Sequence, residues 1–203
     1  MMKSIFKTAL LLLVTLTVLT GVIYPLAVTG IAQSVFPQQA NGSVIESNGH
    51  RYGSSLLAQV FAPEQDQEGK FLWGRIMNPS AFAVKGTDGT DLLYSGPSNL
   101  SPASEDYRKL VADRVKVLHE ADPAQVGKPI PVDLVTCSGS GLDPHISPAA
   151  AEYQVERIAA RRGMAVADVR RIIDAHTTGK WLGLFGEDAV NVLEVNLALE
   201  QKL

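Results

Sequence analysis

The densest cluster of chemistry-bearing side chains runs from Asp133 to Pro148 and holds Asp133, Thr136, Cys137, Ser138, Ser140, Asp143, His145 and Ser147. Serine, histidine and aspartate are the parts of a hydrolytic triad. A nucleophile elbow, however, requires Gly-x-Ser-x-Gly, because small flanking residues let the chain turn sharply beneath the serine. Ser140 has Ser138 two residues before it and Leu142 two after it, and Ser138 has Thr136 and Ser140 in those places. Neither fits. The same residues also read as turn builders. Gly139 and Gly141 reach backbone conformations that side chains disfavour, and Asp143-Pro144 favours a turn. Ser147 before Pro148 has the form of a helix cap followed by a first-turn proline. His145 is then expected to hydrogen-bond locally and hold the turn.

Other chemistries find less support. Gly179-Lys180 is followed by Trp181 and has no glycine five residues before it, so it is not a phosphate-binding P-loop. There is no Asp-Lys-Thr-Gly stretch of the kind an aspartyl-phosphate pump carries. His50, His119, His145 and His176 are too scattered to suggest a metal site. The single cysteine, Cys137, excludes an internal disulfide and reads as a small buried residue. Arg157, Arg161, Arg162, Arg170 and Arg171 crowd two neighbouring predicted helices; a partner or anionic lipid would suit them, but a solvated face is the plainer expectation. The residues therefore predict no catalytic group and no metal ligand, and single out no cofactor-binding residue.

What must position these residues begins with a membrane segment. Lys3 and Lys7 precede an uncharged apolar run from about Thr8 to Val28, and the next charged residue is Glu46. About twenty helical residues cross the hydrocarbon core. A secretory signal also starts basic, and Gly30-Ile31-Ala32 before Gln33 resembles a cleavage site, but signal cores run about 7–15 residues. The length favours an uncleaved anchor over residues 1–33, with the span at about 8–28. Thr17 and Gly21 form a small-xxx-small pair that lets another helix approach, and Pro25 cannot bond the Gly21 carbonyl, which predicts a kink. Tyr24 suits the interface. Lysines stay on the cytoplasmic side, so residues 34–203 are expected outside, as one extracytoplasmic domain at the inner (plasma) membrane. Setting aside the two lysines leaves 16 basic against 21 acidic residues in that part. This mild acidity speaks against a nucleic-acid partner.

Within the domain, Ser34–Gly42 reads as a polar connector and Val44–Tyr52 as a hairpin turning at Asn48-Gly49. Phe71–Trp73 reads as a strand and Asn78–Pro102 as a long Gly/Ser/Pro-rich loop. Helical spacing predicts a helix over Glu105–Ala121, and alternation predicts a strand over Pro131–Thr136. Further helices are expected from Ser147-Pro148 to Gly163 and from Val166 to His176. Val190–Leu199 fits a strand, or a helix capped by Asn191. The fold class is α+β behind one N-terminal transmembrane helix.

Several segments in order resemble one family, over nearly the whole chain. Tyr24-Pro25-Leu26 with Thr29–Gln33 is similar to its membrane exit, and Phe36-Pro37 with Gln39–Ser43 to its connector. Asp133–Thr136 with Ser138–Pro148 resembles its central signature, and Asn191–Leu193 with Asn196–Leu199 its C-terminal end. The family is KdpC, a small component of the bacterial potassium-transporting ATPase. Two positions depart from it. Pro97 in Ser95–Leu100 stands where glycine is expected, and Cys137 where alanine is. The resemblance implies an accessory, non-catalytic subunit. Its expected partners are a channel-like potassium-binding subunit, a P-type ATPase subunit and membrane lipid. ATP and potassium are then handled by the complex. The family has been described as a catalytic chaperone that raises ATP affinity. With the folded domain outside and ATP inside, the topology favours assembly and capping of the ion-entry side, with any effect on ATP transmitted through a shared conformational equilibrium. The expected contacts are Thr17, Gly21 and Pro25 on the span and Ser138, Gly139, Ser140, Gly141, Asp143 and His145 in the loop. The alternatives are an anchored periplasmic binding module and a secreted hydrolase.

Overall fold

The computed structural model describes residues 2–77, 84–89, 91–92 and 94–203, in two compact units, Met1–Ile45 and Glu46–Leu203.

The first unit is dominated by a helix from Lys3 to Val35, long and apolar enough to cross a membrane. It comprises α1 (Met2–Val18), a π-helical turn at Leu19–Ile23 and α2 (Tyr24–Val35). The π turn is what the chain makes of Pro25. Proline has no N–H for the Gly21 carbonyl and its ring crowds that position. The widened turn ends with the Tyr24 N–H reaching back to the Leu19 carbonyl. Hydroxyls along the helix bond back one turn, as Thr20 Oγ1 does to the Leu16 carbonyl at 2.7 Å. The predicted connector is more ordered than expected. The helix runs on to Val35, Phe36 breaks it ahead of Pro37, and a short α3 (Pro37–Ala40) follows. The Gln33 and Asn41 amides then exchange two hydrogen bonds at 3.1 and 3.0 Å.

The second unit is a mixed helix and sheet domain. The unit boundary falls within β1 (Val44–Ser47), which leads into β2 (His50–Ser54) through a turn at Asn48 and Gly49, both with positive φ (53° and 77°), as an Asn-Gly turn requires. The predicted long loop lies partly outside the described residues; within it β3 (Val84–Lys85) pairs antiparallel with β4 (Asp91–Leu92). Helix α4 (Glu105–Ala121) has the expected bounds and is capped by Ser104, which accepts the Tyr107 N–H. Helix α5 (Pro148–Arg162) starts after Ser147 and stops at Gly163 in the left-handed region, and α6 is Val166–Ala175. A three-stranded antiparallel sheet has β7 (Ala189–Asn191) in the middle, flanked by β5 (His145–Ile146) and β6 (Thr177–Thr178). Of the two readings of the C-terminal segment the capped helix holds: β7 ends at Asn191, whose side chain accepts the Glu194 N–H and caps α7 (Val192–Leu199), so Val192 and Val195 are helical.

Two predicted strands are absent. Over Pro131–Thr136 the chain forms a 3-10 turn at Val132–Leu134. Leu134 and Val135 are both buried and Val132 is exposed, so burial does not follow the alternation. Phe71–Trp73 joins no sheet. Its peptide groups are held by side-chain amides instead. Asn196 Oδ1 accepts the Leu72 N–H at 2.7 Å and its Nδ2 donates to the Leu72 carbonyl at 2.9 Å. Gln154 makes the same pair of bonds to Trp73, at 2.8 and 3.0 Å. Leu72 and Trp73 are thereby buried among Ile158, Val195 and Leu199 without orphaned backbone groups.

Arg157 completes this clamp and corrects the expectation of a solvated arginine face. It is buried and its guanidinium lies 3.3 Å from the Trp73 ring centroid. It donates to the Gly69 carbonyl and, at 2.9 Å, to that of Phe71. Burial lowers its pKa to about 10, against the opposing pull of Asp66 and Asp122, so it stays charged at neutral pH. Arg162 similarly donates to the carbonyls of Lys70 and Leu199 and pairs with Glu200. Arg161, Arg170 and Arg171 are exposed, and the last two pair with Glu152 and Asp168.

Candidate functional site

The loop from Cys137 to Ser147 is where the predicted site residues gather. Its start is fixed by Asp133, whose carboxylate accepts the Ser147 N–H at 2.7 Å and so closes the loop across its base. Inside, Ser138 is buried and its hydroxyl lies 3.2 Å from that of Ser140. Ser140 Oγ accepts the Leu142 N–H at 3.1 Å, and Ser138 Oγ accepts the Asp143 N–H at 3.4 Å. Gly141 sits between them at φ +70°, bonded to the Ser138 carbonyl. Gly139 is exposed. Asp143 Oδ1 accepts the His145 N–H at 3.0 Å and lies 3.4 Å from His145 Nδ1, so the histidine is held locally, as expected.

Neighbouring segments staple the loop on several sides. Arg75 donates to the Cys137 carbonyl at 3.1 Å and reaches within 3.8 Å of Asp143. Ala58 N–H donates to the Leu142 carbonyl, and Val192 N–H to that of Pro144. Gly96 N–H and the Ser95 hydroxyl both donate to the Ser140 carbonyl, at 2.8 and 3.1 Å. Three segments that sequence reading singles out separately, at Ser95, at Ser138–His145 and at Asn191, thus meet in one place. Asn191 adds its own tie to the Ser55 carbonyl at 2.8 Å.

This arrangement builds a rigid loop. The serine hydroxyls face each other and receive backbone N–H groups, and the His145 ring faces Asp143. Cys137 is half-buried, and burial pushes its thiol pKa up, with the Arg75 charge pulling the other way. Such a thiol is a poor nucleophile at neutral pH. Among the described residues no group of three or more His, Cys, Asp and Glu is placed to hold a metal ion. The remaining predicted contacts, Thr17, Gly21 and Pro25, lie exposed on the helix of the first unit. Sequence reading missed Arg75 and Gln154, placed Arg157 on a solvated face and named Asn196 only within the C-terminal segment. Their signal was a polar residue on an otherwise apolar helix face or beside an apolar run, which is weak without knowledge of what packs there.

The comparisons with known proteins cover the same span. The family profile for KdpC, described as K+-transporting ATPase, c chain, matches residues 6–201. The chain is 55% identical over 199 residues to the "Potassium-transporting ATPase KdpC subunit" of Clostridium perfringens, covering 98% of each chain. The protein of that name from Clostridium botulinum is 54% identical over 198 residues, covering 98% of this chain and 96% of the relative. The one from Herpetosiphon aurantiacus is 47% identical over 200 residues, covering 98% and 97%. With the helix, the α+β domain and the stapled loop in place, these matches establish that the chain belongs to the KdpC family, the c chain of the K+-transporting ATPase.

Proposed function

We propose that this chain is an accessory, non-catalytic subunit of an ATP-driven potassium import complex, required for the assembly of a channel-like subunit with a P-type ATPase subunit. The observation that carries this reading is the 33-residue apolar helix with both of its lysines, Lys3 and Lys7, at one end, on a chain of this family. The lysines orient the helix with its N-terminus in the cytoplasm of the inner membrane and the α+β domain outside. ATP is then on the far side of the bilayer from the folded domain. Any effect on ATP affinity passes through a conformational equilibrium shared by the subunits rather than through contact.

Assembly runs through the helix. Thr17 and Gly21 present small residues at which a partner helix approaches closely. Gly21 is a clean test. A Cβ added there meets nothing within 4 Å beyond the helix's own neighbouring backbone, so a larger side chain points into open space that a partner would fill. Affinity purification of the full chain from membranes in mild detergent is expected to recover the two large subunits with wild type and to lose at least about tenfold of them with Gly21→Leu. An intact, active complex with that change would refute the helix contact, and recovery of the wild-type chain alone would refute the accessory role.

A further inference from the structure

The segment Lys180–Asp188, between β6 and β7, inverts the usual placement of apolar side chains. Trp181, Leu182, Leu184 and Phe185 are 68%, 71%, 79% and 60% exposed. Together they expose on the order of 500 Å² of largely apolar surface, as much as the largest patch on a typical monomer. The segment is nevertheless ordered. Trp181 and Phe185 exchange backbone hydrogen bonds at 2.8 and 3.0 Å, and their rings pack at a tilt of 43° with centroids 5.7 Å apart. Lys180 ties the base, through Nζ to Glu187 at 2.9 Å and through its N–H to Asp188 at 3.1 Å. Leu182 sits at φ +53°, a conformation costly for a branched side chain and natural to glycine. A turn serving only to connect two strands needs no leucine there.

We propose that Trp181–Phe185 is a docking finger that inserts into an apolar, basic-rimmed pocket on another subunit of the transport complex. The proposal rests on the accessory-subunit reading and names the surface that serves it. Charge selects the occupant. Glu187 offsets Lys180, so Asp188 leaves the base of the finger acidic, within a domain that is acidic as a whole. Segments that lie in a bilayer interface surround their apolar residues with Lys and Arg, which is the reverse of this base. A second copy docked finger to finger would bring acidic bases together. A protein pocket with a basic rim satisfies both the apolar tip and the acidic base. Tryptophan and a fixed loop are also what dominant contacts in interfaces are made of, because little conformational freedom is lost on docking. The patch is smaller than the roughly 800 Å² per partner of a standard interface. A chain already tethered by its membrane helix needs less, since the second contact forms at high effective concentration.

The test places photoreactive benzoylphenylalanine at Leu184 of the full chain, with illumination in membranes and mass spectrometry of the purified complex. The expected result is an adduct with another subunit. Trp181→Asp combined with Leu184→Asp is expected to lower recovery of that subunit by at least about tenfold. It should leave the emission of the buried Trp73 unchanged, as a check that the domain is folded. An adduct only with lipid or with a second copy, or no protein adduct in a complex that still co-purifies, overturns the finger and leaves the accessory role standing. Failure of wild type to recover any other subunit overturns both.

Discussion

The loop Cys137–Ser147 and the finger Lys180–Asp188 are opposites. The loop is rich in serine, aspartate and histidine, the residues of catalysis, and turns them on its own backbone and on each other. The finger is rich in tryptophan, leucine and phenylalanine, the residues of a core, and turns them to solvent. Residue type alone would assign chemistry to the first and packing to the second. The contrast shows that a side chain's role follows from which of its neighbours satisfy it. A hydroxyl that receives a backbone N–H is part of the scaffold, whereas an exposed tryptophan on a fixed turn leaves most of its apolar surface in solvent.

The contrast is sharpest where the polar groups are most deeply buried. Arg157→Ala would leave the carbonyls of Gly69 and Phe71 without their donor and remove the cation over Trp73. Breaking a buried charged network by deleting one partner costs about 3–5 kcal/mol. Trp181→Ser, which removes a larger side chain from the finger, should cost less than about 0.5 kcal/mol because little of it is packed. Denaturant unfolding of the full chain in detergent, followed through Trp73, would measure both. Comparable losses for the two would erase the distinction between the regions.

The fold was legible in the sequence where a local rule decides it, and obscure where a distant residue does. The bounds of α4 and α5 are set by Ser104, Ser147, Pro148 and Gly163, all within reach of the helix ends they govern. The hairpin follows from Asn48-Gly49. Phe71–Trp73 reads as a strand because three large apolar residues in a row usually sit in one. Its neighbours are the amides of Gln154 and Asn196, 81 and 124 residues away, and no periodicity announces that. The site was legible as a set of segments but not as their contacts. That Gly96 and Ser95 both reach the Ser140 carbonyl needs the tertiary fold. The finger escapes a sequence reading because exposure of Trp181 and Leu184 has no local signature, and Gly179-Lys180 invites comparison only with a phosphate loop.

A smaller effect tests the loop's scaffold role directly. Ser147 caps α5 by accepting the Ala150 N–H at 3.2 Å, while Asp133 holds its own N–H. Ser147→Ala removes the cap and retains the Asp133 bond, so a loss of about 1 kcal/mol is expected. The measurement is the shift in unfolding midpoint relative to wild type. A loss near zero would mean that the loop's closure at Asp133 suffices to start the helix.

The smallest effect needs no change in stability and compares the two regions with one reagent. Cys137 is half-buried, and desolvation raises its thiol pKa, only partly opposed by Arg75. A thiol whose folded pKa lies above its unfolded value favours the fold fully below the unfolded value, about 8.5, and less as pH rises through the folded one. Alkylation by iodoacetamide should accordingly be slow at pH 7–8 and follow a midpoint above that of an ordinary thiol. Leu184→Cys in a Cys137→Ala background places a thiol at the tip of the finger, 79% exposed in the parent residue, where it should react several times faster with an ordinary midpoint. In the assembled complex the order should reverse. Docking buries the finger and protects the Leu184→Cys thiol, while the rate at Cys137 is set within the chain and stays as it was. Equal protection of both thiols on assembly would mean that the loop, and not the finger alone, lies under the partner.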